Sequence, residues 1–231
     1  LALAKAREAG VEPGLLARGL LALGSARQAR GRLKESLEDF EPALALSPGP
    51  RLAARLHSFL ASSLVQLGAL TPAGPRIHQA LELARSAADR WFEGRVLGQL
   101  GRLSQELGDF DAAARFYERA LAVHREVGDR RFEGIALGSL GSTELEKARA
   151  EQARAHFEQA LAIHREVGNR RSEGVALGNL ANVYMETGRV EQAVRTYLQA
   201  LAIHREVGDR RSEGHALGNL GDIYRETGQV E

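Results

Sequence analysis

The sequence predicts an all-α, right-handed superhelical solenoid of antiparallel helix pairs, and three observations support this. The first is a repeat. His164 to Glu191 reads HREVGNRRSEGVALGNLANVYMETGRVE, and 40 residues later His204 to Glu231 reads HREVGDRRSEGHALGNLGDIYRETGQVE, identical at 21 of 28 positions. His124 opens a third copy, HREVGDRRFEGIALGSLG, and Arg85 to Leu100 holds a blurred fourth. A fixed period of this length marks a repeat array, in which each unit packs on its neighbours. The second observation is helical periodicity. Leu177, Leu180, Ala181 and Tyr184 fall at i, i+3, i+4 and i+7, and Ala193, Tyr197, Ala200, Leu201 and Ile203 form a second stripe. The third is punctuation. Gly188 separates the two stripes, and Gly208–Asp209, Gly168–Asn169 and Gly128–Asp129 each pair a helix-stopping glycine with a helix-starting cap.

Composition supports this reading and excludes others. The 231 residues are 44% hydrophobic and 26% charged, enough to bury a core. Only 5% are aromatic, so small residues, including 25 glycines, must do much of the packing. A net charge of +1 argues against nucleic-acid binding through bulk charge. There is no cysteine, which removes disulfides and thiolate metal sites and fits a cytoplasmic location. No apolar run approaches the roughly 18 residues that span a membrane. The chain opens on Leu1 without a signal-peptide pattern and stops within a repeat at Glu231, and it is read as a piece of a longer protein.

Taken in order, LALAKAREAG at 1–10 is expected to be a trailing second helix. Full repeats follow at about 17–53, 54–93, 94–133, 134–173 and 174–213, and a lone first helix closes the array at 214–231. Two departures are expected to show. Thr71-Pro72-Ala73-Gly74-Pro75 sits where a second helix should begin, so that helix should start late, near Pro75, and be short. In the fourth repeat Ala148 replaces the turn glycine, so the turn there should be tighter or continue helical.

The spacing of Leu140-Gly141, Ala153, Phe157 and Ala160 resembles the tetratricopeptide signature L-G-x2-Y…A-x3-F. Leu180-Ala181, Tyr184, Ala193, Tyr197 and Ala200 repeat it, as do Leu100-Gly101, Ala113, Tyr117 and Ala120. Leu23-Gly24, Gly31, Phe40 and Ala43 carry it into the opening region. The 40-residue length resembles the Pins/LGN class of these repeats and arrays in bacterial signalling proteins. The resemblance implies a concave groove lined by the first helix of each pair, and a scaffold that holds a partner protein in it. The alternatives are a regulatory sensor array within a larger signalling protein, or a self-associating structural array.

Catalytic and cofactor chemistry finds no footing. The glycines of Gly134-x3-Gly138-x2-Gly141 lack the preceding strand a phosphate loop needs, and close helix packing accounts for them. His124, His164 and His204 recur one repeat apart, too far to share a metal ion, and are expected to form a solvated stripe. Arg205, Glu206, Arg210 and Arg211 read as surface charge at a helix junction. No unrepeated nucleophile–base constellation is present, so no enzyme, cofactor or metal is expected. The candidate site is instead the first-helix face that varies between repeats: Arg18, Arg55, Arg95, Gln99, Arg102, Ser139, Ser142, Asn179, Asn182, Met185, His215, Asn219 and Asp222. Its N-terminal half offers guanidinium groups suited to carboxylates, and its C-terminal half offers apolar and amide groups. The expected partner is an extended peptide, acidic on the first three repeats. Glu106, Glu146, Glu186 and Glu226 line the rim. Leu217, Leu220, Ile223 and Tyr224 of the last helix are expected to be exposed and to favour end-to-end contacts.

Overall fold

From residue 50 onward each 40-residue period folds into two 17-residue helices joined by three-residue turns. The computed structural model describes residues 10–226 and 228, so the helix expected at 1–10 and the last residues of the chain lie outside the described residues. In order the helices are α1 Pro13–Ala29, α2 Leu33–Leu44, α3 Pro50–Gln66, α4 Leu70–Ser86, α5 Arg90–Glu106, α6 Phe110–Glu126, α7 Arg130–Glu146, α8 Ala150–Glu166, α9 Arg170–Glu186, α10 Val190–Glu206 and α11 Arg210–Glu226. Each first helix from α3 onward begins four residues ahead of the starts expected at 54, 94, 134, 174 and 214. No strand occurs among the described residues.

The turns follow from local chemistry. Gly208 adopts φ +67°, and the Asp209 N–H reaches back to the His204 carbonyl, closing the end of α10. The Asp209 carboxylate then accepts from the Ser212 N–H at 3.2 Å and caps α11. Asp129 and Asn169 cap α7 and α9 in the same way. The Ala148 turn is neither tighter nor helical. Ala148 takes φ +56°, and the Arg149 N–H meets the Glu144 carbonyl at 2.8 Å, as in the glycine turns. The neighbouring helices dictate this turn, and alanine bears the strain of a left-handed conformation.

The helix at Thr71–Pro75 also departs from expectation. α4 begins at Leu70 and runs its full 17 residues. Pro72 lies in the first turn, where no N–H is needed, and exposed Pro75 withholds a partner only from the Thr71 carbonyl, on an exposed residue that water can reach. The short helix is α2, with Pro42 inside it and Pro48 and Pro50 just beyond.

The chain divides into two compact units, residues 1–116 and 117–231. In the first, consecutive helices α1 to α5 pack in series, with Phe40, Leu56 and Leu60 in one core cluster. A polar seam joins its first three helices. The Arg27 Nη1 donates to both Asp39 carboxylate oxygens at 2.9 Å, and Ser63 Oγ meets Gln28 Nε2 at 3.1 Å and Ser36 Oγ at 2.8 Å. In the second unit α7 to α11 pack in series around Phe157, Leu177, Leu180 and Ile203, and then around Tyr197, Leu201, Leu220 and Ile223.

Glycine and its partner are matched in size along the array. A Cβ at Gly141 would lie 2.7 Å from the Phe157 ring, and one at Gly134 would lie 2.7 Å from His164 Cε1. Gly174 meets His204 in the same way, at 2.9 Å. Eighty residues before Gly134 and His164, both positions are alanine, Ala54 and Ala84, each fully buried. Small therefore answers large, and medium answers medium.

Candidate partner-binding site

His164 and His204 are each only 3% exposed, as His124 is at 2%, so the solvated stripe does not exist. The α7 and α9 glycines leave room for an imidazole where a larger residue would have forced it outward. Burial lowers the pKa of His164 and His204 below the usual imidazole value, partly offset by Glu173 beside the former and Asp209 beside the latter. Their Nδ1 atoms are buried without a hydrogen-bond partner.

The charges at the helix junctions are likewise built in. Glu133 is 5% exposed and is gripped by Arg125 at 2.9 Å and Arg130 at 2.6 Å. Arg130 also holds Glu166, at the end of α8, at 2.6 Å, so the cluster joins the ends of α6, α7 and α8. Glu173 has the same clamp from Arg165 and Arg170, and Glu213 from Arg205 and Arg210. Burial raises the Glu133 carboxyl, but hydrogen bonds from its two arginines outweigh this and hold it below the usual carboxylate range. These residues are scaffold rather than loose surface charge.

In the first unit the candidate residues Arg55 and Arg95 are both exposed, each with its guanidinium 5.9 Å from the Phe92 ring, and Arg95 also lies 5.2 Å over Trp91. Aromatic faces thus seat two like charges side by side. Arg18 is exposed and lines a separate cleft with Glu12 and Arg51, and Arg102 is half-buried on α5. Gln99 is committed elsewhere, since Ser58 Oγ donates to its Oε1 at 2.8 Å and stitches α3 to α5.

In the second unit two pockets lie one repeat apart, between successive first helices. The pocket between α7 and α9 has a volume of about 250 Å³, and its lining includes Ile135, Gly138, Val175 and His164. The candidates Ser139, Ser142 and Asn179 line it too. The pocket between α9 and α11 has about 190 Å³ and brings together Asn179, Asn182, His215 and Asn219 with Tyr197 and His204. Here the Tyr197 hydroxyl donates to Asn182 Oδ1, and Asn219 Nδ2 donates to Tyr197 Oη at 2.9 Å, so one triad spans three helices. Two candidates do not join the pockets: Met185 packs on the core around Tyr197, and Asp222 pairs with Arg225 on its own helix at 2.7 Å. The glutamates at positions 106, 146, 186 and 226 are exposed. Of the last helix, Leu220 and Ile223 are buried against α10, Tyr224 is half-buried, and Leu217 is 44% exposed.

Sequence reasoning missed the pocket positions of His164, His204 and Tyr197, and of Gly138 in the first pocket and Gly178 in the second. A signal was present, because the paired change from Gly134 and His164 to Ala54 and Ala84 marks a packing contact. Among the described residues no three His, Cys, Asp or Glu side chains are grouped to hold a metal, and no helix is long and apolar enough to cross a membrane.

A stack of antiparallel helix pairs with an open first-helix face defines a helical repeat scaffold. The tetratricopeptide repeat family model matches residues 52–126, 92–166 and 172–231, and the chain belongs to that family. No curated protein matches it. Among solved structures it is similar to BtubC from P. vanneervenii, at 20% identity and TM-score 0.67, over 92% of this chain and 84% of that one. It is also similar to a signal transduction ATPase with a tetratricopeptide repeat sensor from Pyrococcus horikoshii, at 17% identity and TM-score 0.79, over 89% of this chain and 32% of that one. PilF of Pseudomonas aeruginosa matches at 17% identity and TM-score 0.64, over 92% and 94% of the two chains. These likenesses are of fold.

Proposed function

We propose that the protein is a cytoplasmic, non-catalytic interaction scaffold whose first-helix face holds extended segments of a partner protein. One observation carries this reading: among the residues that differ between the two best-matched repeats, Val175, Asn182 and His215 line the pockets, where residue character changes, while the changes from buried Ala181 to Gly221 and from buried Val183 to Ile223 keep small or apolar residues. The first unit suits an acidic stretch. Arg55 and Arg95 are exposed on one aromatic seat, and forked guanidinium groups bind carboxylates bidentately. The second unit suits an uncharged stretch, held by Asn179, Asn182 and Asn219.

The test is affinity capture with the wild-type chain and with Arg95→Glu combined with Arg102→Glu. The double variant should lose an acidic partner at low salt and remove much of the salt dependence of binding. Equal binding of that partner by both proteins would overturn the acidic reading.

The likeness to a signalling ATPase that carries a tetratricopeptide sensor favours a second reading, a regulatory array within a larger protein. End-to-end self-association through α11 is a further possibility, supported by exposed Leu217. Sedimentation of the wild type against Leu217→Glu tests it, and an unchanged dimer would count against it.

A further inference from the structure

The two pockets of the second unit differ in chemistry while sharing a plan. Their volumes, 250 and 190 Å³, fall below the roughly 300–1,000 Å³ of small-molecule sites. Each has room for one inserted side chain. Each contains a glycine, Gly138 or Gly178, at which an added Cβ would meet nothing within 4 Å. Packing therefore does not require these glycines, although each costs its helix about 1 kcal/mol relative to alanine. Each pocket is also lined by a histidine, His164 or His204, that is 3% exposed and whose Nδ1 has no partner in the protein. Neither lining contains a Lys, Arg, Asp or Glu among the described residues. Ile135 and Val175, 39% and 44% exposed, wall the first pocket with apolar surface. In the second, the triad leaves Asn182 Nδ2 and Asn219 Oδ1 uncommitted, a donor and an acceptor that match the two halves of an amide.

We propose that these pockets are consecutive side-chain seats for a single extended, uncharged peptide segment, with an apolar residue in the Ile135–Val175 seat and an asparagine or glutamine in the Asn182–Asn219 seat. The inference rests on the scaffold reading above and specifies its second unit. The two seats lie one repeat apart between successive first helices, and an extended chain advances about 3.3–3.6 Å per residue, so its two anchors are a few residues apart. The segment's main chain passes over Gly138 and Gly178, and their missing Cβ atoms let it approach the helices closely.

The test is a selection of phage-displayed random nonapeptides on the immobilised 231-residue chain, followed by fluorescence polarisation with the enriched sequence as a synthetic peptide. The proposal expects Val, Ile or Leu within about four residues of Asn or Gln. Gly178→Ala should raise the melting temperature yet weaken the peptide by about tenfold or more, a pair of opposite effects that a purely structural role does not produce. Val175→Asp, at an exposed position, should abolish the apolar preference. Asn219→Ala should remove the amide preference, and its thermal melt shows whether the fold is kept. Enriched peptides without this spacing, no enrichment, or unchanged affinity in Gly178→Ala would overturn the proposal. If acidic peptides are enriched instead and are lost with Arg95→Glu and Arg102→Glu, this inference falls while the scaffold reading stands. If no peptide responds to any of these variants, both fall.

Discussion

Helices α9 and α11 share 12 of 17 residues yet occupy different environments. In α9, Leu177 is 3% exposed and Gly174 is pressed against His204 and Ile203 of α10. In α11, Leu217 is 44% exposed, and a Cβ at Gly214 would meet nothing within 4 Å. The other side of α11 is buried as in α9, with Leu220 at 4% and Leu180 at 3%. A first helix therefore carries two apolar faces, one for the second helix before it and one for the second helix after it. Among the described residues only the first of these is covered on α11. Burial in a repeat protein belongs to the neighbour as much as to the residue.

The largest expected effect uses the same substitution in both helices. Gly174→Ala places a methyl 2.9 Å from His204 Cε1 and 3.0 Å from Ile203 Cγ2. Overpacking of this kind should cost about 1–3 kcal/mol in urea denaturation. Gly214→Ala meets open space and should instead stabilise α11 by up to about 1 kcal/mol. Adding His204→Ala to Gly174→Ala should restore much of the loss, since it recreates the pairing of Ala54 with Ala84. Equal signs in the two single variants would break the comparison.

A second effect is pH dependence, again set by covered helices. Burial holds the pKa of His164 and His204 below the unfolded value near 6.5. As pH falls through that value the unfolded chain takes up protons that the folded chain refuses, so stability should decline from about pH 6.5 downward and be level above it. The groups facing these rings are Glu173 and Arg131 for His164, and Asp209, Glu213 and Arg171 for His204. The clamped carboxylate of Glu133 stays ionised through this window. The lowered pKa of Glu133 adds a separate loss only at more acidic pH, as its carboxylate is protonated. Thermal melts from pH 8 to 5 should show the histidine step, and His204→Ala should shrink it. A flat profile would mean the rings titrate as if exposed.

The smallest effect lies in the turns. Ala148→Gly should relieve the left-handed alanine and stabilise by about 1 kcal/mol, while Gly188→Ala, at φ +71°, should cost a similar amount. Differential scanning calorimetry would show melting temperatures shifted in opposite directions.

The helix pairs were readable because the period, the paired stripes and the Gly–Asp junctions are local signals. The same periodicity put Asn179, Asn182 and Asn219 on first helices, and all three line the pocket between α9 and α11. The histidines were misread because a polar residue in a repeating phrase looks solvated until its glycine partner, 30 residues earlier, is considered. Pro72 and Pro75 were given too much weight because Pro72 falls in the first turn of a helix that begins at Leu70, and Pro75 frees only the carbonyl of exposed Thr71. The pockets were not legible, since they form between helices from different repeats.

The most direct test of the claim that neighbours set burial is hydrogen exchange on the intact chain, comparing the amides of α9 with their counterparts in α11. Because the two helices are nearly the same sequence, intrinsic propensity cancels. The account predicts strong, uniform protection in α9 and markedly faster exchange across α11. Equal protection in the two helices would contradict it.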